Sequence, residues 1–551
     1  MQFESDSRIT IPVLVNTDVA KTFPKTAKDH ASGVLSASPR RNDTRGKRVA
    51  VLFSGGPAAG GHNVLCGMLA ALGVRNTLLG VYQGPKGLIK GDLFEIAALD
   101  EIQNMGGFNY LGSDRTKIKT DEQFDQVRET VKKHRLDGIV IIGGDDSNTN
   151  AAVLAEKLYG ECVVVGVPKT IDGDLQVGKL LPISFGFDTA TKIYAELVGN
   201  ILQDAPSSLK YWHFVKLMGR AASQVALEVA LQTHPPITLI SEEIQCKNMS
   251  LQDIITGIAE TVIKRAAHNL PYGVVLVPEG LIEFIPEFKS MIAELNDIIA
   301  EYDKDLEPLR TTQKLAFLEA KLSDHSGRLM ASLPESVKNR LVLDRDSHGN
   351  LQVSHIPTEE LLIEMVGIKV QEIKNHPDLF FGAGKMDVDA AGQAQVQKFK
   401  FNPVSHFFGY EGRCGLPTVF DATFTYNLGL VAASLVLGGH TGYMASLTDL
   451  DAGGTPLALP LTRLLSIERR NGKGEWVIQK ALVSVDAPAF RYFAKRRHIW
   501  ALEAAFSSPG PRQFFGPTAE QLPLTVALNQ GYDDIRFRIS AKDDNVSKVG
   551  L

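Results

Sequence analysis

The sequence predicts an open α/β fold in which largely parallel sheets are covered by helices. Short, almost entirely apolar segments rich in β-branched residues recur along the chain, and each ends in glycine or proline followed by polar residues. Continuous apolar runs of this kind are typical of strands buried on both faces. Segments with apolar residues at helical spacing separate them, as crossover connections require. Residues able to do chemistry follow strand after strand, where α/β sheets bind their ligands.

Six segments follow the strand pattern, and two clear helical segments lie among them. The strand segments are 48–56, 138–146, 161–174, 211–220, 236–243 and 272–280, and the helical segments are 121–134 and 148–159. From 286 to 400 apolar residues recur at helical spacing among many charges, which predicts a mainly helical insertion that supports assembly or covers the site. After Gly409 the glycine-rich strand pattern returns.

Composition and charge narrow the class of protein. The formal net charge of -5 argues against nucleic acid or an anionic membrane as a partner. The four cysteines and 13 histidines form neither a disulfide framework nor a zinc spacing. The start of the chain lacks the pattern of a signal peptide, and the longest apolar stretch, 428–439, is too short to span a bilayer. We therefore expect a protein of the reducing cytoplasm.

A glycine-rich loop, SGGPAAGGHNV, runs from Ser54 to Val64 between a predicted strand and a predicted helix. Its glycines let backbone N–H groups point at an anion bound at the helix N-terminus. The loop matches neither a Walker A motif nor the GxGxxG spacing. A turn that needs glycine only for close packing explains it equally well.

Two adjacent aspartates, Asp145 and Asp146, follow a strand that ends in Gly143 and Gly144. A carboxylate at a strand end beside a phosphate site suits Mg²⁺, which prefers one or two carboxylates plus phosphate oxygens. Acidic residues at a helix start also complement the helix dipole, and that explanation would suffice for one aspartate. Two like charges directly after a Gly-Gly turn favour a functional role.

A polar turn, PKTIDGDL, runs from Pro168 to Leu175. It offers a cation in Lys169, a hydroxyl in Thr170 and carboxylates in Asp172 and Asp174. A carboxylate can accept the proton of an alcohol, and phosphoryl transfer needs positive charge where negative charge gathers. An ordinary Asp-Gly-Asp turn would explain the two aspartates but not the lysine beside them.

Three more segments place polar residues after apolar runs. Arg220 ends KLMGR, Glu279 lies in VPEG, and Tyr410 and Arg413 lie in YEGRCG. Arginine binds phosphate as a planar fork, and a glutamate can accept hydrogen bonds from sugar hydroxyls. Each alone is explained by surface or turn chemistry, whereas their shared position after strands favours a common site.

On these motifs the sequence resembles the phosphofructokinases, and closely the pyrophosphate-dependent ones of the long form. The resemblance covers 47–285 and 400–500, and the helical block 286–400 resembles the insertion that lengthens this form. The matching motifs are Ser54-Gly55-Gly56, Gly143-Gly144-Asp145, Thr170-Ile171-Asp172-Gly173-Asp174, Met218-Gly219-Arg220, Pro278-Glu279-Gly280 and Tyr410-Glu411-Gly412-Arg413.

The resemblance implies two lobes of the phosphofructokinase type. We expect an N-terminal surface arm over 1–46, which is polar and irregular, and a first lobe with the pyrophosphate and Mg²⁺ site over 47–205. The sugar-phosphate lobe is expected over 206–440, with the helical insertion inside it. A C-terminal segment, 441–551, is expected to pack back on the lobes and complete the first one.

The resemblance also implies roles for the donor side of the site. Gly55 and Gly56 would bind pyrophosphate, and Asp145 would bind Mg²⁺. Asp172 would be the base that takes the proton from the C1 hydroxyl of fructose 6-phosphate. Arg115, in GSDRTKI, is a further phosphate candidate, although its segment departs from the family pattern.

A substrate site and an oligomer follow from the same resemblance. Lys210 and Tyr211 resemble a pair that, in this family, reaches the substrate site of a neighbouring subunit, which implies a homodimer or a higher homo-oligomer. The residues that would bind fructose 6-phosphate are Thr170, Ile171, Asp172, Lys210, Tyr211, Met218, Gly219, Arg220, Glu279, Tyr410, Glu411, Gly412 and Arg413.

Two positions distinguish the phosphoryl donor. ATP-using relatives carry glycine where this chain has Asp146 and Lys169. A carboxylate at 146 would intrude where the α-phosphate of a nucleotide passes, and two like charges ~4 Å apart in a partly desolvated site repel by about 4 kcal/mol. Lys169 would bind pyrophosphate and neutralise the transferring phosphoryl group. The implied reaction is Mg²⁺-dependent, reversible transfer from pyrophosphate to fructose 6-phosphate in glycolysis and gluconeogenesis.

Three alternatives stay open at the level of the sequence. An ATP-dependent phosphofructokinase is the nearest, and a donor assay distinguishes it. Another kinase class with a GGD loop, such as the NAD or lipid kinases, gives no reason for the PKTIDGD and YEGR segments. A non-catalytic regulatory subunit is expected to lack the base or the metal aspartate, but Asp172 and Asp145 are both present.

Overall fold

The computed structural model describes residues 1–6, 9, 18–38, 44–343, 356–382, 386–470 and 473–532. The chain forms two compact units, each assembled from separate stretches of sequence. The first unit comprises Met1–Ile193, Tyr410–Ala481 and the described chain from Arg512 onward. The second comprises Tyr194–Gly409 and Leu482–Pro511.

The first unit contains a ten-stranded sheet with a parallel centre and a separate two-stranded sheet. The strands of the large sheet are β1 (Gln2–Ser5), β2 (Leu35–Ser38), β3 (Arg48–Ser54), β4 (Thr77–Val81), β5 (Leu93–Ile96), β6 (Ser113–Asp114), β7 (Gly138–Gly143), β8 (Val163–Pro168), β13 (Tyr443–Thr448) and β14 (Thr455–Pro460). Their order is β1-β2-β14-β13-β8-β7-β3-β4-β5, and β6 pairs with β3. The small sheet pairs β15 (Leu465–Arg470) with β16 (Lys473–Ile478).

Helices surround these sheets, and their starts follow local chemistry. The helices are α1 (Val19–Thr22), α2 (Thr26–Asp29), α3 (Gly61–Leu72), α4 (Gly84–Lys90), α5 (Asp121–His134), α6 (Asp145–Lys157), α20 (Tyr410–Arg413), α21 (Val419–Leu437) and α23 (Leu524–Gln530), with α7 (Phe187–Ser208) leading into the second unit. The predicted helix over 121–134 is confirmed as α5. It begins at Asp121 because Thr120 and Gln123 form a capping box there. The helix predicted from 148 begins earlier, at Asp145, directly after the Gly-Gly turn.

The second unit has a four-stranded, fully parallel sheet. Its strands are β9 (Trp212–Leu217), β10 (Ile237–Thr238), β11 (Gly273–Pro278) and β12 (Pro403–Phe408), in the order β10-β11-β9-β12. The segment 236–243 yields only a two-residue strand, since a helix starts at Ser241. The buried strand pattern of the other segments is confirmed: every residue of β9 and β11 is buried.

The insertion is helical, as the sequence predicts. The helices of this unit are α8 (Gln224–Thr233), α9 (Ser241–Cys246), α10 (Leu251–Ala267), α11 (Leu281–Phe284), α12 (Pro286–Glu301), α13 (Asp303–Leu306), α14 (Thr311–Lys321), α15 (Asp324–Ser332), α16 (Glu335–Leu343), α17 (Thr358–Asn375), α18 (Pro377–Phe380), α19 (Ala390–Lys398) and α22 (Pro488–Leu502). Insertion residues such as Met291 and Val366 share one apolar core with Val275 of β11 and Ile258 of α10. The insertion is therefore part of the second unit's core.

The structure divides the chain differently from the expected boundaries. Residues 410–440 were expected in the sugar-phosphate lobe, but they belong to the first unit, because α21 packs along α3. The segment 482–511 instead belongs to the second unit. The N-terminal arm is not wholly irregular: β1 and β2 pair antiparallel and extend the large sheet through β14.

The contact between α3 and α21 depends on two glycines. A Cβ added at Gly67 would lie 2.0 Å from the carbonyl oxygen of Tyr426, and one added at Gly429 would lie 2.2 Å from that of Val64. The two backbones therefore touch directly. Among the described residues, α21 is also the one helix long and apolar enough to cross a membrane, and two thirds of that stretch is buried in this packing. Burial to this extent is typical of a core helix.

Substitution of Gly67 by alanine should disrupt this helix pair. The added methyl group overlaps the backbone of α21, and overpacking of this kind costs about 1–3 kcal/mol. We expect the apparent melting temperature in calorimetry to fall by roughly 2–10 °C. Gly257→Ala is the matched control, because a Cβ at this glycine within α10 meets no atom within 4 Å. An unchanged melting temperature for the Gly67 variant would contradict the close contact.

Candidate functional site

The ends of β7 and β8 bring two predicted motifs side by side. The strands are parallel and in register, with Gly143 opposite Pro168. The N–H of Lys169 donates to the carbonyl oxygen of Gly143 at 2.9 Å. Asn148 Nδ2 donates to the carbonyl oxygens of Gly143 and Gly144 at 2.7 and 2.9 Å. The turn that precedes the two aspartates and the turn that carries Lys169 are thus held together by backbone contacts.

Lys169 is a buried cation at the centre of this region. Its side chain is 7% exposed, and a Cβ at Gly55 would lie 3.6 Å from its Nζ. Burial lowers the pKa of Lys169 to about 8, against the raising effect of the Asp172 charge, and the positive charge of Arg115 lowers it further. A desolvated ammonium beside a glycine-rich loop is a strong electrostatic partner for an anion.

Three charged groups converge beside this lysine. Lys480 Nζ lies 3.9 Å from Asp145 Oδ2 and 3.6 Å from Asp174 Oδ2. Burial raises the pKa of the Asp145 carboxyl, although the nearby Lys480 charge opposes this shift. Burial also raises the pKa of Asp174, together with the negative charge of Asp172. The half-buried Asp145 and the buried Asp174 therefore share the positive charge of Lys480.

The carboxylates fit a divalent cation that also binds phosphate. Asp145 Oδ2 is buried and accepts no hydrogen bond from the described residues, so this oxygen can serve a cation. Within the described ranges, no group of three His, Cys, Asp or Glu side chains forms a complete metal cage. Mg²⁺ is suited to such a partial site, because it uses one or two carboxylates together with phosphate oxygens and water.

Asp146 is more accessible than Asp174, whereas Asp172 and Asp145 are both half-buried. Asp172 is half-buried, and its N–H donates to Thr170 Oγ1 at 3.1 Å, which closes the turn. Ile171 is buried, so its side chain contributes packing. Asp146 is exposed at the second position of α6, one residue beyond Asp145. The two adjacent aspartates thus have different surroundings.

The glycine-rich loop is bordered by two arginines. The N–H of Gly55 already donates to the carbonyl oxygen of Asp114, so this glycine contributes space rather than a donor. A Cβ at Gly56 would lie 3.4 Å from Arg413 Nη1 and 3.5 Å from Arg115 Nη2. Arg115 reaches this position because β6 pairs with the end of β3. The pairing makes Arg115 a stronger anion candidate than its motif suggested.

Arg413 was expected to bind the sugar phosphate, and the structure places it at the glycine-rich loop. Its guanidinium lies 4.7 Å from the centre of the Tyr410 ring, which is exposed. Glu411 is exposed and Gly412 is buried on the same short helix. The YEGR segment therefore contributes its cation to the first unit.

The predicted sugar-phosphate residues of the second unit gather at the ends of β9 and β11. Glu279 is 1% exposed, and its Oε2 accepts a hydrogen bond from the N–H of Gly219 at 2.8 Å. Met218 N–H donates to the carbonyl oxygen of Phe408 at the end of β12. Arg220 is exposed beside them. The buried Glu279 carboxylate therefore stabilises the turn formed by Met218, Gly219 and Arg220.

Lys210 and Tyr211 lie at the opposite end of the strands, before β9 begins. They precede β9, whereas Met218 follows it, and a six-residue strand is about 20 Å long. Leu209 and Tyr211 flank the lysine with φ angles of 49° and 69°, which bulky residues rarely adopt. One molecule of a sugar phosphate is too short to contact residues at both ends of β9 in a single chain.

No sequence motif points to Lys480. This residue follows β16, in QKA, which has no glycine, no paired carboxylate and no strand-end pattern of its own. Only the path of the chain after β16 brings it to Asp145 and Asp174. Arg115 was suspected, but its position depends on a two-residue strand pairing that sequence patterns do not reveal.

The fold and the grouped residues define an α/β protein with a buried lysine and nearby carboxylates at its strand ends, an arrangement suited to phosphate chemistry. The model of the phosphofructokinase family matches residues 48–315. The chain is 43% identical over 530 residues to the pyrophosphate–fructose 6-phosphate 1-phosphotransferase of Treponema pallidum (strain Nichols), covering 92% of this chain and 89% of the relative. This chain therefore belongs to the phosphofructokinase family.

Other relatives give the same family. The enzyme of the same name from Porphyromonas gingivalis is 42% identical, with 93% of this chain and 92% of the relative covered. The Arabidopsis thaliana subunit beta 1 is 44% identical, with 93% and 88% covered. Among solved structures, a pyrophosphate-dependent phosphofructokinase from Marinobacter aquaeolei has a TM-score of 0.51 at 16% identity, covering 86% of this chain and 95% of its own. That likeness confirms the fold class.

Arg115 should strengthen the binding of a diphosphate anion. Loss of one charge-assisted hydrogen bond costs about 1.5–3 kcal/mol, so Arg115→Gln should weaken the affinity for pyrophosphate, measured by titration calorimetry, at least ~10-fold. Arg128→Gln is the matched control, since this arginine pairs with Asp125 and Glu161 on the surface. Equal affinities for the two variants would remove Arg115 from the anion site.

Proposed function

We propose that this protein transfers a phosphoryl group from pyrophosphate to the C1 hydroxyl of fructose 6-phosphate and also catalyses the reverse reaction. The observation that carries the proposal is the buried ammonium of Lys169 beside Gly55. The relatives' names and their coverage of nearly the whole chain support the same donor and acceptor. The products are fructose 1,6-bisphosphate and phosphate.

The proposed chemistry uses a base, a cation and an anion cradle. Asp172 accepts the proton of the C1 hydroxyl while the new oxygen–phosphorus bond forms and the bridging bond of pyrophosphate breaks. Lys169 neutralises the charge that gathers on the transferring group. Gly56, Arg115 and Arg413 hold the pyrophosphate, including the phosphoryl group that leaves as phosphate. The half-buried position of Asp172 and the burial of Lys169 support this division of roles.

A divalent cation completes the proposed site, and Mg²⁺ is the ion that suits it. Asp145 would hold it, with Asp174 nearby, because the buried Oδ2 of Asp145 accepts no hydrogen bond from the described residues. When bound, the ion supplies positive charge to phosphate oxygens. The family consists of phosphotransferases, and this donor set matches that chemistry.

The sugar phosphate is assigned to residues of the second unit by motif. Met218, Gly219, Arg220 and Glu279 would bind it, with the buried Glu279 carboxylate fixing the turn through the Gly219 N–H. Thr170, Ile171, Tyr410, Glu411, Gly412 and Arg413 are assigned by resemblance, and Arg413 is shared with the anion cradle.

We also propose a homodimer or a higher homo-oligomer in the cytoplasm. The length of β9 supports the oligomer: if Lys210 and Tyr211 contact the sugar phosphate, as the resemblance implies, they contact the one bound by another chain. Plant relatives are named as subunits, which agrees with assembly. The soluble type of the α/β fold supports the location.

The proposed function is tested by a donor assay on the purified full chain. Formation of fructose 1,6-bisphosphate from fructose 6-phosphate is measured with pyrophosphate or ATP, with and without Mg²⁺. We expect turnover with pyrophosphate only, dependent on Mg²⁺, and lost at least ~10²-fold in Asp172→Ala. Turnover with ATP alone would identify an ATP-dependent enzyme, and no turnover with either donor would support a regulatory subunit.

Asp146 should select pyrophosphate over ATP. Its carboxylate would repel the α-phosphate of a nucleotide, so Asp146→Gly, combined with Lys169→Gly, should reduce pyrophosphate use and raise kcat/KM for ATP at least ~10²-fold. Asp121→Gly is the control, because this aspartate also starts a helix, α5, and is exposed. Full pyrophosphate activity without ATP use in the Asp146 variants would contradict the selection.

Activity should fall as Lys169 loses its proton. Because the pKa of Lys169 is about 8, its ammonium is present below that pH and disappears above it. Since kcat/KM reports groups of the free enzyme, kcat/KM for pyrophosphate should decline above pH ~8. Lys169→Arg keeps its charge and should move the decline to higher pH, whatever its absolute activity. The same profile in both proteins would assign the decline to another group.

A further inference from the structure

Lys480 lies between two carboxylates that belong to different strand ends. Asp145 begins α6 after β7, and Asp174 lies in the turn after β8. The ammonium is 3.9 Å from Asp145 Oδ2 and 3.6 Å from Asp174 Oδ2. The side chain of Asp174 is only 5% exposed. Lys480 therefore bridges two acidic groups that would otherwise repel each other inside the protein.

The backbone around Lys480 is tied to the same two residues. Ala481 N–H donates to the carbonyl oxygen of Asp174 at 2.7 Å. On the other side, Ile478 N–H donates to Thr149 Oγ1 at 3.0 Å, and that hydroxyl donates to the carbonyl oxygen of Asp145 at 2.8 Å. The position of Lys480 relative to both carboxylates is thus fixed by hydrogen bonds rather than by its flexible side chain.

The two ion-pair distances are longer than those of a tight charge-assisted hydrogen bond, which is about 2.7–2.9 Å. The Lys480 side chain is 34% exposed, whereas those of Asp145 and Asp174 are 18% and 5% exposed. The lysine therefore enters from the solvent side and is held by charge. A flexible ammonium held in this way can withdraw when a stronger cation arrives.

We propose that Lys480 is a positioning residue that takes the place of the divalent cation between Asp145 and Asp174 in the substrate-free protein. The Lys480 ammonium keeps the two carboxylates close together when no metal is bound. The incoming ion then displaces the ammonium and does not have to bring the carboxylates together itself. This inference rests on the proposed function for the identity of the ion, but its test does not depend on turnover.

The test compares Mn²⁺ binding by the wild type and by Lys480→Met. Binding to the full chain is measured without substrates by electron paramagnetic resonance. Removal of the competing charge should tighten Mn²⁺ binding by at least ~5-fold. The variant should also melt at a lower temperature in metal-free buffer and recover that loss when Mn²⁺ is added. Lys480→Arg should behave as wild type, because it retains the charge.

Lys117→Met is the matched control, because Lys117 pairs with Glu475 of β16, the strand that Lys480 follows. It should leave both Mn²⁺ affinity and melting temperature unchanged. Unchanged or weaker Mn²⁺ binding by Lys480→Met would overturn the inference, and so would a loss of stability that Mn²⁺ does not restore. If the methionine variant does not fold, Lys480→Gln provides the same comparison. Absence of pyrophosphate turnover in wild type would refute the proposed function instead, whatever the Mn²⁺ result.

Discussion

The hydrogen bond from the Lys169 N–H to the carbonyl oxygen of Gly143 is the contact on which the proposed donor site depends. It extends the pairing of β7 and β8 by one step and fixes Lys169 against the turn that carries Asp145. Close packing permits this only with glycine at two positions. A Cβ at Gly143 would lie 2.4 Å from that of Ser147, and a Cβ at Gly166 would lie 2.0 Å from Asn148 Oδ1.

Fixing Lys169 here buries its charged side chain, and the free-energy cost of that burial explains why the site contains charges of both signs. A buried ammonium and two buried carboxylates are each unfavourable alone, and they become acceptable only as a mutually neutralising set. Lys169, Asp145, Asp174 and Lys480 form such a set, with Lys480 nearest to the solvent. In the proposed function, a charged substrate with its cation would meet groups already in position, which is the arrangement that favours phosphoryl transfer.

Much of the fold and three of these four charged residues could be predicted from sequence, for a physical reason. Buried parallel strands have continuous apolar runs, and their ends hold ligands, so Asp145 and Lys169 were accessible to pattern analysis. Lys480 was not, because its place depends on hydrogen bonds between residues more than 300 positions apart, such as Ile478 and Thr149. The boundary expected at 440 differs from that of the structure for a similar reason, since the packing of α21 on α3 at Gly67 and Gly429 is a tertiary contact.

Binding of the phosphoryl donor by the buried Lys169 is tested by a crystal structure of the protein with Mg²⁺ and imidodiphosphate, an analogue of pyrophosphate. We expect the analogue in hydrogen-bond contact with Lys169 Nζ and the Gly56 N–H, with the metal on Asp145. An analogue bound away from Lys169, or a metal that leaves Asp145 uncoordinated, would contradict it.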